Sequence, residues 1–170
     1  MNTTSTFHTS ASSEKSTSHS SPTLVSVLTR TDSSIAPVLV RLALAAVIFP
    51  HGAQKLLGWF GGYGFTGTMG FFTGTMGIPW LLAFGVILIE FFAPLMLLIG
   101  AGTRLAAFGI GTVLTTAMFL VHVQNGFFMN WFGKQQGEGI EYFLLIIGLA
   151  LALVVSGSGR WSVDRAITKA

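Results

Sequence analysis

The sequence predicts an all-α integral membrane protein, a bundle of four helices with a Gly-rich outer loop and a disordered N-terminal tail. Hydrophobic residues make up 51% of the 170 residues and charged residues only 9%, whereas a typical soluble domain carries about 25% charged residues. The mean hydropathy is +0.70. So few charges cannot cover the surface of a soluble protein of this size, which excludes an ordinary cytosolic enzyme.

The composition also excludes several kinds of site. The chain has no cysteine, so it has no disulfide, no thiolate metal site, no cysteine-bound iron–sulfur cluster and no covalent c-type haem. Its net charge is +3, but no run of basic residues is present, so we expect no nucleic-acid partner. The expected partner of such a chain is the lipid bilayer.

Residues 1–34 differ in composition from the rest of the chain, because nineteen of them are Ser or Thr. A segment of this kind buries too little apolar surface to offset the entropy cost of ordering it. We therefore expect a disordered tail over residues 1–34 and a four-helix membrane domain over residues 35–165.

Four apolar stretches cover residues 35–52, 78–100, 105–123 and 140–155. A helix needs roughly 20 residues to cross about 30 Å of hydrocarbon, so we expect each stretch to span, with flanking residues extending the first and fourth. The short connection between the second and third makes them antiparallel neighbours. Between the first two lies the Gly-rich segment 54–77, whose aromatic and methionine residues suit the membrane interface.

Basic residues are unequally distributed between the two ends of the predicted bundle. The end that holds both termini carries seven of the nine: Lys15, Arg30, Arg41, Arg104, Arg160, Arg165 and Lys169. The opposite end carries only Lys55 and Lys134. By the positive-inside rule, this predicts a multi-pass protein of the plasma (inner) membrane with both termini in the cytoplasm.

Glu90 is the strongest single indication of a function, because it lies twelve residues into the second apolar stretch. A carboxylate at that depth costs at least about 2.5 kcal/mol. Pro94 has no N–H, so the backbone carbonyl of Glu90 also needs a partner. We expect a buried ion pair with the long side chain of Arg41. Two alternatives remain: a pair that only holds the helices together, and an Arg41 that reaches lipid phosphate instead.

A second set of polar residues gathers at the outer ends of the predicted helices. The set comprises His51, Gln54, Lys55, His122 and Glu141, with Glu90 deeper in the bundle. Together they form a candidate quinone and proton site, because imidazoles hydrogen-bond carbonyl oxygens and titrate near neutral pH. Histidines on different helices also allow a haem or a metal, although we expect no metal site, and histidines at a wet interface need no function at all.

Several short motifs resemble, in their order and spacing, those of DoxX family membrane proteins. They are His51-Gly52-Ala53-Gln54-Lys55, the Gly- and aromatic-rich run 58–64, Glu90 with Pro94, Gly102-Thr103-Arg104, His122, the runs 126–131 and 137–142, and Gly157-Ser158-Gly159 with Ser162 and Asp164. The resemblance covers about residues 36–165 and leaves out the tail.

The resemblance implies a small four-helix inner-membrane protein linked to quinone redox chemistry. The family takes its name from a subunit of a terminal quinol oxidase, a related branch forms thiosulfate:quinone oxidoreductase, and other members assemble with soluble redox or thiol-handling enzymes. We therefore expect a quinone- or quinol-linked oxidoreductase subunit, with quinone as cofactor and such enzymes as partners. A non-catalytic membrane anchor for soluble redox enzymes is the alternative. A small-solute transporter ranks last, because no internal inverted repeat is visible.

Overall fold

The computed structural model describes residue 31 and residues 33–169. The disordered tail predicted over residues 1–34 therefore lies almost entirely outside the described residues. The described part is helical and contains no strand. Its helices are α1 (Ala36–Leu57), α2 (Gly64–Gly70), α3 (Trp80–Ile99), α4 (Thr103–Ala117), α5 (Glu141–Ser156) and α6 (Val163–Lys169), with 3-10 or π-helical turns at Trp59–Gly61, Phe71–Thr75, Met118–His122 and Val123–Asn125.

Three helical segments of the described part are long and apolar enough to cross a membrane. They are α1, α3 and the segment Thr103–Asn125, which consists of α4 and the two turns that continue it. Helix α5 is apolar but has only 16 residues, which gives a length of about 24 Å at 1.5 Å per residue. These helices confirm the predicted all-α membrane class for the described residues.

The four long helices α1, α3, α4 and α5 pack around one hydrophobic core. Helix α1 packs mainly on α3 and α4 mainly on α5, while α3–α4 and α1–α5 contacts close the arrangement. Leu44, Ile48, Leu97, Ile110 and Leu153 are almost fully buried there. A turn of three residues joins α3 to α4, so these two helices are antiparallel neighbours, as the sequence predicts. We call the end with this turn the clasp end and the opposite end the loop end.

The Gly-rich segment between α1 and α3 folds into a short helix instead of a simple loop. Helix α2 and the π-helical turn after it pack against the loop-end half of α3, where Met69, Ala83 and Ile87 form a small buried cluster. The segment also presents exposed aromatic rings, among them Trp59 and Phe60. Aromatic side chains of this kind favour the membrane–water interface.

Arg41 joins three parts of the chain at the clasp end. Its Nη1 donates to the carbonyls of Leu97 (3.1 Å) and Leu98 (3.2 Å), and its Nη2 donates to the carbonyl of Trp161 (2.6 Å). The last carbonyls of a helix have no partner within the helix. The buried guanidinium therefore caps the end of α3 and fixes the chain segment that follows α5.

Asp164 performs the complementary task at the start of α4. Its carboxylate accepts hydrogen bonds from the backbone N–H groups of Gly102 (2.6 Å) and Thr103 (3.0 Å), which are unpaired donors at a helix N-terminus. Its own N–H donates to the carbonyl of Gly100 (3.0 Å). Arg41 is only 2% exposed and Asp164 only 3%, and the two charges attract each other. We call Arg41, Asp164 and residues 100–103 the clasp.

The ion pair predicted between Arg41 and Glu90 is wrong. Arg41 bonds to carbonyls at the end of α3, seven or more residues beyond Glu90, which corresponds to about 10 Å along the helix. The reason is the register of the two antiparallel helices, which brings Gly52 rather than Arg41 opposite Glu90. The unpaired carbonyls at the end of α3 are then the acceptors within reach of the guanidinium.

Helices α1 and α3 approach most closely at Gly52. A Cβ atom at Gly52 would overlap the backbone carbonyl of Glu90 and lie 2.6 Å from the nitrogen of Phe91. The carbonyl of Glu90 has no N–H partner four residues later, because that residue is Pro94. It therefore faces the Cα–H of Gly52, a weak donor of the kind that recurs where helices cross closely.

Gly52→Ala tests this crossing, because the added methyl group would meet backbone atoms that cannot rotate away. We expect it to lower the free energy of unfolding by about 1–3 kcal/mol, measured by thermal or chemical unfolding in detergent micelles. Gly148→Ala in α5 is the matched control, since a Cβ there has no neighbour within 4 Å. Equal stability of the two variants would contradict the close crossing.

Candidate functional site

Glu90 lies near the middle of α3 and is buried, with 6% of the residue exposed. It is ten residues from Trp80 and nine from Ile99, the two ends of the helix, or about 14–15 Å from each. Glu90 therefore lies about halfway along α3. An ionisable side chain at such depth is expensive and generally faces a partner inside the bundle.

The partner of Glu90 is Lys55. The Lys55 Nζ lies 2.5 Å from the Glu90 Oε2, and the two side chains are 25% and 8% exposed. Lys55 lies three residues after Gly52 in α1, so both residues occupy the same face of that helix. Because Gly52 touches the backbone at Glu90, the close crossing also brings the ammonium to the carboxylate.

His51 and Tyr142 complete the surroundings of this ion pair. The charges of Lys55 and Glu90 both act on the His51 imidazole, and His51 itself is exposed on the side of the bundle. The charge of Glu90 also acts on the Tyr142 hydroxyl. This hydroxyl is buried and has no hydrogen-bond partner among the described residues. We call Lys55, Glu90, His51 and Tyr142 the charge site.

Gln54 supports the charge site without belonging to it. Its side-chain amide donates to the carbonyl of Phe60 (3.3 Å), and a Cβ at Gly62 would overlap the backbone of Gln54. The chain after α1 therefore folds directly back over the end of that helix. Beyond it, the cluster of Met69, Ala83 and Ile87 covers the face of α3 that Glu90 shares, because Ala83, Ile87 and Glu90 follow helical spacing.

His122 and Glu141 lie in a different cluster at the loop end. His122 Nδ1 is 3.0 Å from the carbonyl of Glu138, and its ring packs on Phe143 with centroids 4.2 Å apart. The Glu141 carboxylate accepts hydrogen bonds from the backbone N–H of Met129 (2.9 Å) and the indole of Trp131 (3.3 Å). Among the residues described, neither side chain bonds to Lys55 or Glu90. Both residues hold the long loop between α4 and α5.

The structure thus divides the six residues predicted as one site. It brings Lys55 and Glu90 together, places His51 within their electrostatic influence, and assigns His122 and Glu141 to the loop. Tyr142 was not among the predicted site residues, although a tyrosine in the first turn of an apolar helix was a visible signal. Within residues 33–169, no three His, Asp or Glu side chains come together as a metal site would require.

Comparison with known proteins assigns this sequence to a family. The DoxX family model matches residues 36–123, from the start of α1 to the turns that follow α4. The chain belongs to the DoxX family. Within the matched DoxX segment lie the Gly52 crossing and three members of the charge site, Lys55, Glu90 and His51.

Two curated proteins are similar along most of this DoxX chain. "Putative oxidoreductase CatD" of Bacillus subtilis is 27% identical over 135 residues, which cover 79% of this chain and 89% of the relative. An "Uncharacterized protein" of Haemophilus influenzae is 32% identical over 133 residues, covering 76% of this chain and 89% of the relative. No solved structure matches the chain.

A double-mutant cycle tests the ion pair. We expect Glu90→Gln and Lys55→Met each to lower the free energy of unfolding, and the double variant to lose less than their sum. The coupling should fall in the range of about 0.5–3 kcal/mol that residues in contact show, measured by unfolding in detergent micelles.

Arg41→Gln is the matched comparison for Lys55→Met, because both residues lie in α1. Because Arg41 bonds to other parts of the chain, its effect should add to that of Glu90→Gln within about 0.5 kcal/mol. A coupling of Glu90 to Arg41 that exceeds its coupling to Lys55 would contradict the pairing described above.

Proposed function

We propose that this protein is the membrane subunit of a quinone-linked oxidoreductase and that a quinone head group binds at the charge site. The observation that carries the proposal is the Lys55–Glu90 ion pair, which places a carboxylate from the middle of α3 inside an apolar helix bundle. Intramembrane ionisable residues commonly mark proton relays or substrate pathways, because their cost is otherwise avoided. The DoxX membership and the name of the Bacillus subtilis relative support an oxidoreductase role.

The residues present fit a quinone head group. Its ring is flat and apolar, and its two carbonyl oxygens need hydrogen-bond donors. The buried Tyr142 hydroxyl has no protein partner among the described residues, and the Lys55 ammonium has three N–H donors. His51 is exposed on the side of the bundle, where a quinone dissolved in the bilayer would approach. These few polar groups lie within an apolar helix bundle, and binding sites for such ligands combine apolar surroundings with a small number of polar contacts.

The protein side of the chemistry is proton handling. A bound quinone would supply the capacity for two electrons and two protons. His51 is suited to hold and release a proton, because a neutral imidazole carries one donor and one acceptor nitrogen. The Lys55 ammonium lies against the Glu90 carboxylate, so Glu90 is the charge that orients the ammonium. Tyr142 donates a hydrogen bond that positions the ring.

Electrons must come from or go to a second protein. The chain has no cysteine, so it contributes no thiol redox centre of its own, and its role is to present the quinone to a partner. We propose a soluble redox or thiol-handling enzyme as that partner. The clasp end and the loop end are the two places where a soluble enzyme reaches the bundle.

We further propose that all four long helices cross the plasma membrane with both termini in the cytoplasm. Basic residues favour the clasp end, where Arg41, Arg104, Arg160 and Arg165 lie, whereas Lys134 lies in the loop between α4 and α5. The positive-inside rule then puts the clasp in the cytoplasm. An alkaline phosphatase fused after Ala170 should be inactive, since that reporter works only outside the cytoplasm. High activity of this fusion would reverse the orientation.

The two histidines of the predicted site give a matched test of quinone binding. In lipid nanodiscs, His51→Ala and Tyr142→Phe should each weaken binding of a fluorescent quinone analogue by about tenfold, the loss expected when one hydrogen bond of about 1–1.5 kcal/mol is removed. His122→Ala removes an imidazole tied to the loop and should bind as wild type does.

Two outcomes would contradict the quinone proposal. One is wild-type protein that binds no analogue, with or without its redox partner. The other is an equal loss of affinity in the His51 and His122 variants, which would indicate a general effect on folding. A protein that binds no quinone yet retains a soluble redox enzyme at the membrane would be an anchor.

A further inference from the structure

A pocket outside the charge site opens at the surface of the clasp end. It has a volume of about 330 Å³ and is lined by Arg160, Trp161, Ser162, Arg165 and Ala166. These residues belong to the segment after α5 and to the first turn of α6. None of them takes part in the ion pair of Lys55 and Glu90, so the pocket needs an explanation of its own.

The pocket is cationic. Among the described residues, neither Arg160 nor Arg165 forms an ion pair with a carboxylate. The nearest acid in sequence, Asp164, is buried and already bonded to the backbone of Gly102 and Thr103. The Arg160 guanidinium lies over the Trp161 ring, 5.4 Å from its centroid, in a cation–π arrangement. Within the part of the chain that the structure describes, neither guanidinium group therefore has an anionic partner.

The pocket lies beyond the clasp-end terminus of α5, where the membrane surface is expected. Helix α6 begins seven residues after the end of α5 and has only seven residues, too few to cross a bilayer. Its segment exposes Trp161 (70%), Val163 (41%) and Ile167 (54%). Tryptophan and aliphatic side chains next to arginine are typical of a segment that lies along the lipid headgroups.

Trp161 is held in an unusual backbone conformation. Its φ is +50°, in the left-handed region that residues other than glycine rarely adopt. Its carbonyl accepts the hydrogen bond from Arg41 Nη2 at 2.6 Å, so the buried clasp fixes this conformation. Strain of this kind persists only where the surrounding structure imposes it, and it concentrates at ligand sites. Here it keeps the indole outside, beside the two arginines.

We propose that this pocket binds the phosphodiester of an anionic phospholipid. Arg160 and Arg165 donate hydrogen bonds to the phosphate oxygens, since guanidinium groups match phosphate geometry. Trp161 and Ile167 lie against the glycerol and the first methylene groups of the acyl chains. The exposed apolar residues around the arginines favour a lipid over a free phosphate ion, which would leave them in water.

The lipid would strengthen the clasp. The carbonyls of Arg160 and Trp161 both accept hydrogen bonds from Arg41 (3.4 and 2.6 Å), and the same guanidinium caps α3. A phosphate held by the side chains of this segment therefore also holds its backbone against Arg41. Because a ligand that binds only the folded state stabilises it, anionic lipid should raise the melting temperature.

The test compares lipids that differ only in head group. Protein in neutral detergent receives phosphatidylglycerol or phosphatidylcholine with identical acyl chains, or inorganic phosphate, and its melting temperature is measured. We expect phosphatidylglycerol to raise it by about 3 °C or more beyond phosphatidylcholine, a shift that corresponds to roughly 1 kcal/mol in a chain of this size. The double variant Arg160→Gln, Arg165→Gln should lose this difference while melting as wild type does in phosphatidylcholine.

Lys134→Gln is the matched control, because it removes a positive charge from the loop at the other end of the bundle. It should keep the full phosphatidylglycerol effect. Equal shifts with both lipids would overturn the proposal, as would an effect that survives in the double variant or is lost in Lys134→Gln. Inorganic phosphate that stabilises as strongly as phosphatidylglycerol would overturn the assignment to a lipid.

Discussion

The contact between Gly52 and the backbone of Glu90 is the constraint on which the rest of the membrane domain depends. It allows α1 and α3 to cross without side chains between them, and Pro94 leaves the Glu90 carbonyl available for the crossing. The same contact fixes the register of the two helices. That register puts Lys55 beside Glu90 and Arg41 beside the end of α3. A change in it would move Arg41 and Lys55 away from their acceptors.

The two groups of buried charge have different tasks because their surroundings differ. The clasp at residues 41, 100–103 and 164 uses the Arg41 guanidinium and the Asp164 carboxylate to satisfy backbone groups at helix ends. In the charge site, the ion pair joins two side chains, Lys55 and Glu90. The buried Tyr142 hydroxyl has no hydrogen-bond partner among the described residues, and the His51 side chain is exposed at the surface of the bundle. The second group is therefore the one that we propose binds a ligand and exchanges a proton.

The sequence was sufficient for the membrane class and the approximate helices, because these follow from local apolar length. It also identified Glu90, since a carboxylate in an apolar stretch is visible without a fold. The sequence did not predict the partner of Glu90, because the partner depends on the register of α1 against α3. The unpaired carbonyls at the end of α3 also bind the Arg41 guanidinium, which the sequence does not show. It also grouped His122 and Glu141 with His51, because nearness to a helix end does not show which loop atoms will satisfy a side chain.

Glu90 and Lys55 form an ion pair inside the bundle. Infrared difference spectroscopy of the protein in lipid nanodiscs, comparing wild type with Glu90→Gln, measures this most directly. We predict that wild type contains the band of an ionised carboxylate that disappears in the variant, and that Lys55→Met converts it to the band of a protonated acid. A protonated Glu90 in wild type, or an ionised one that is unaffected by Lys55→Met, would contradict the claim.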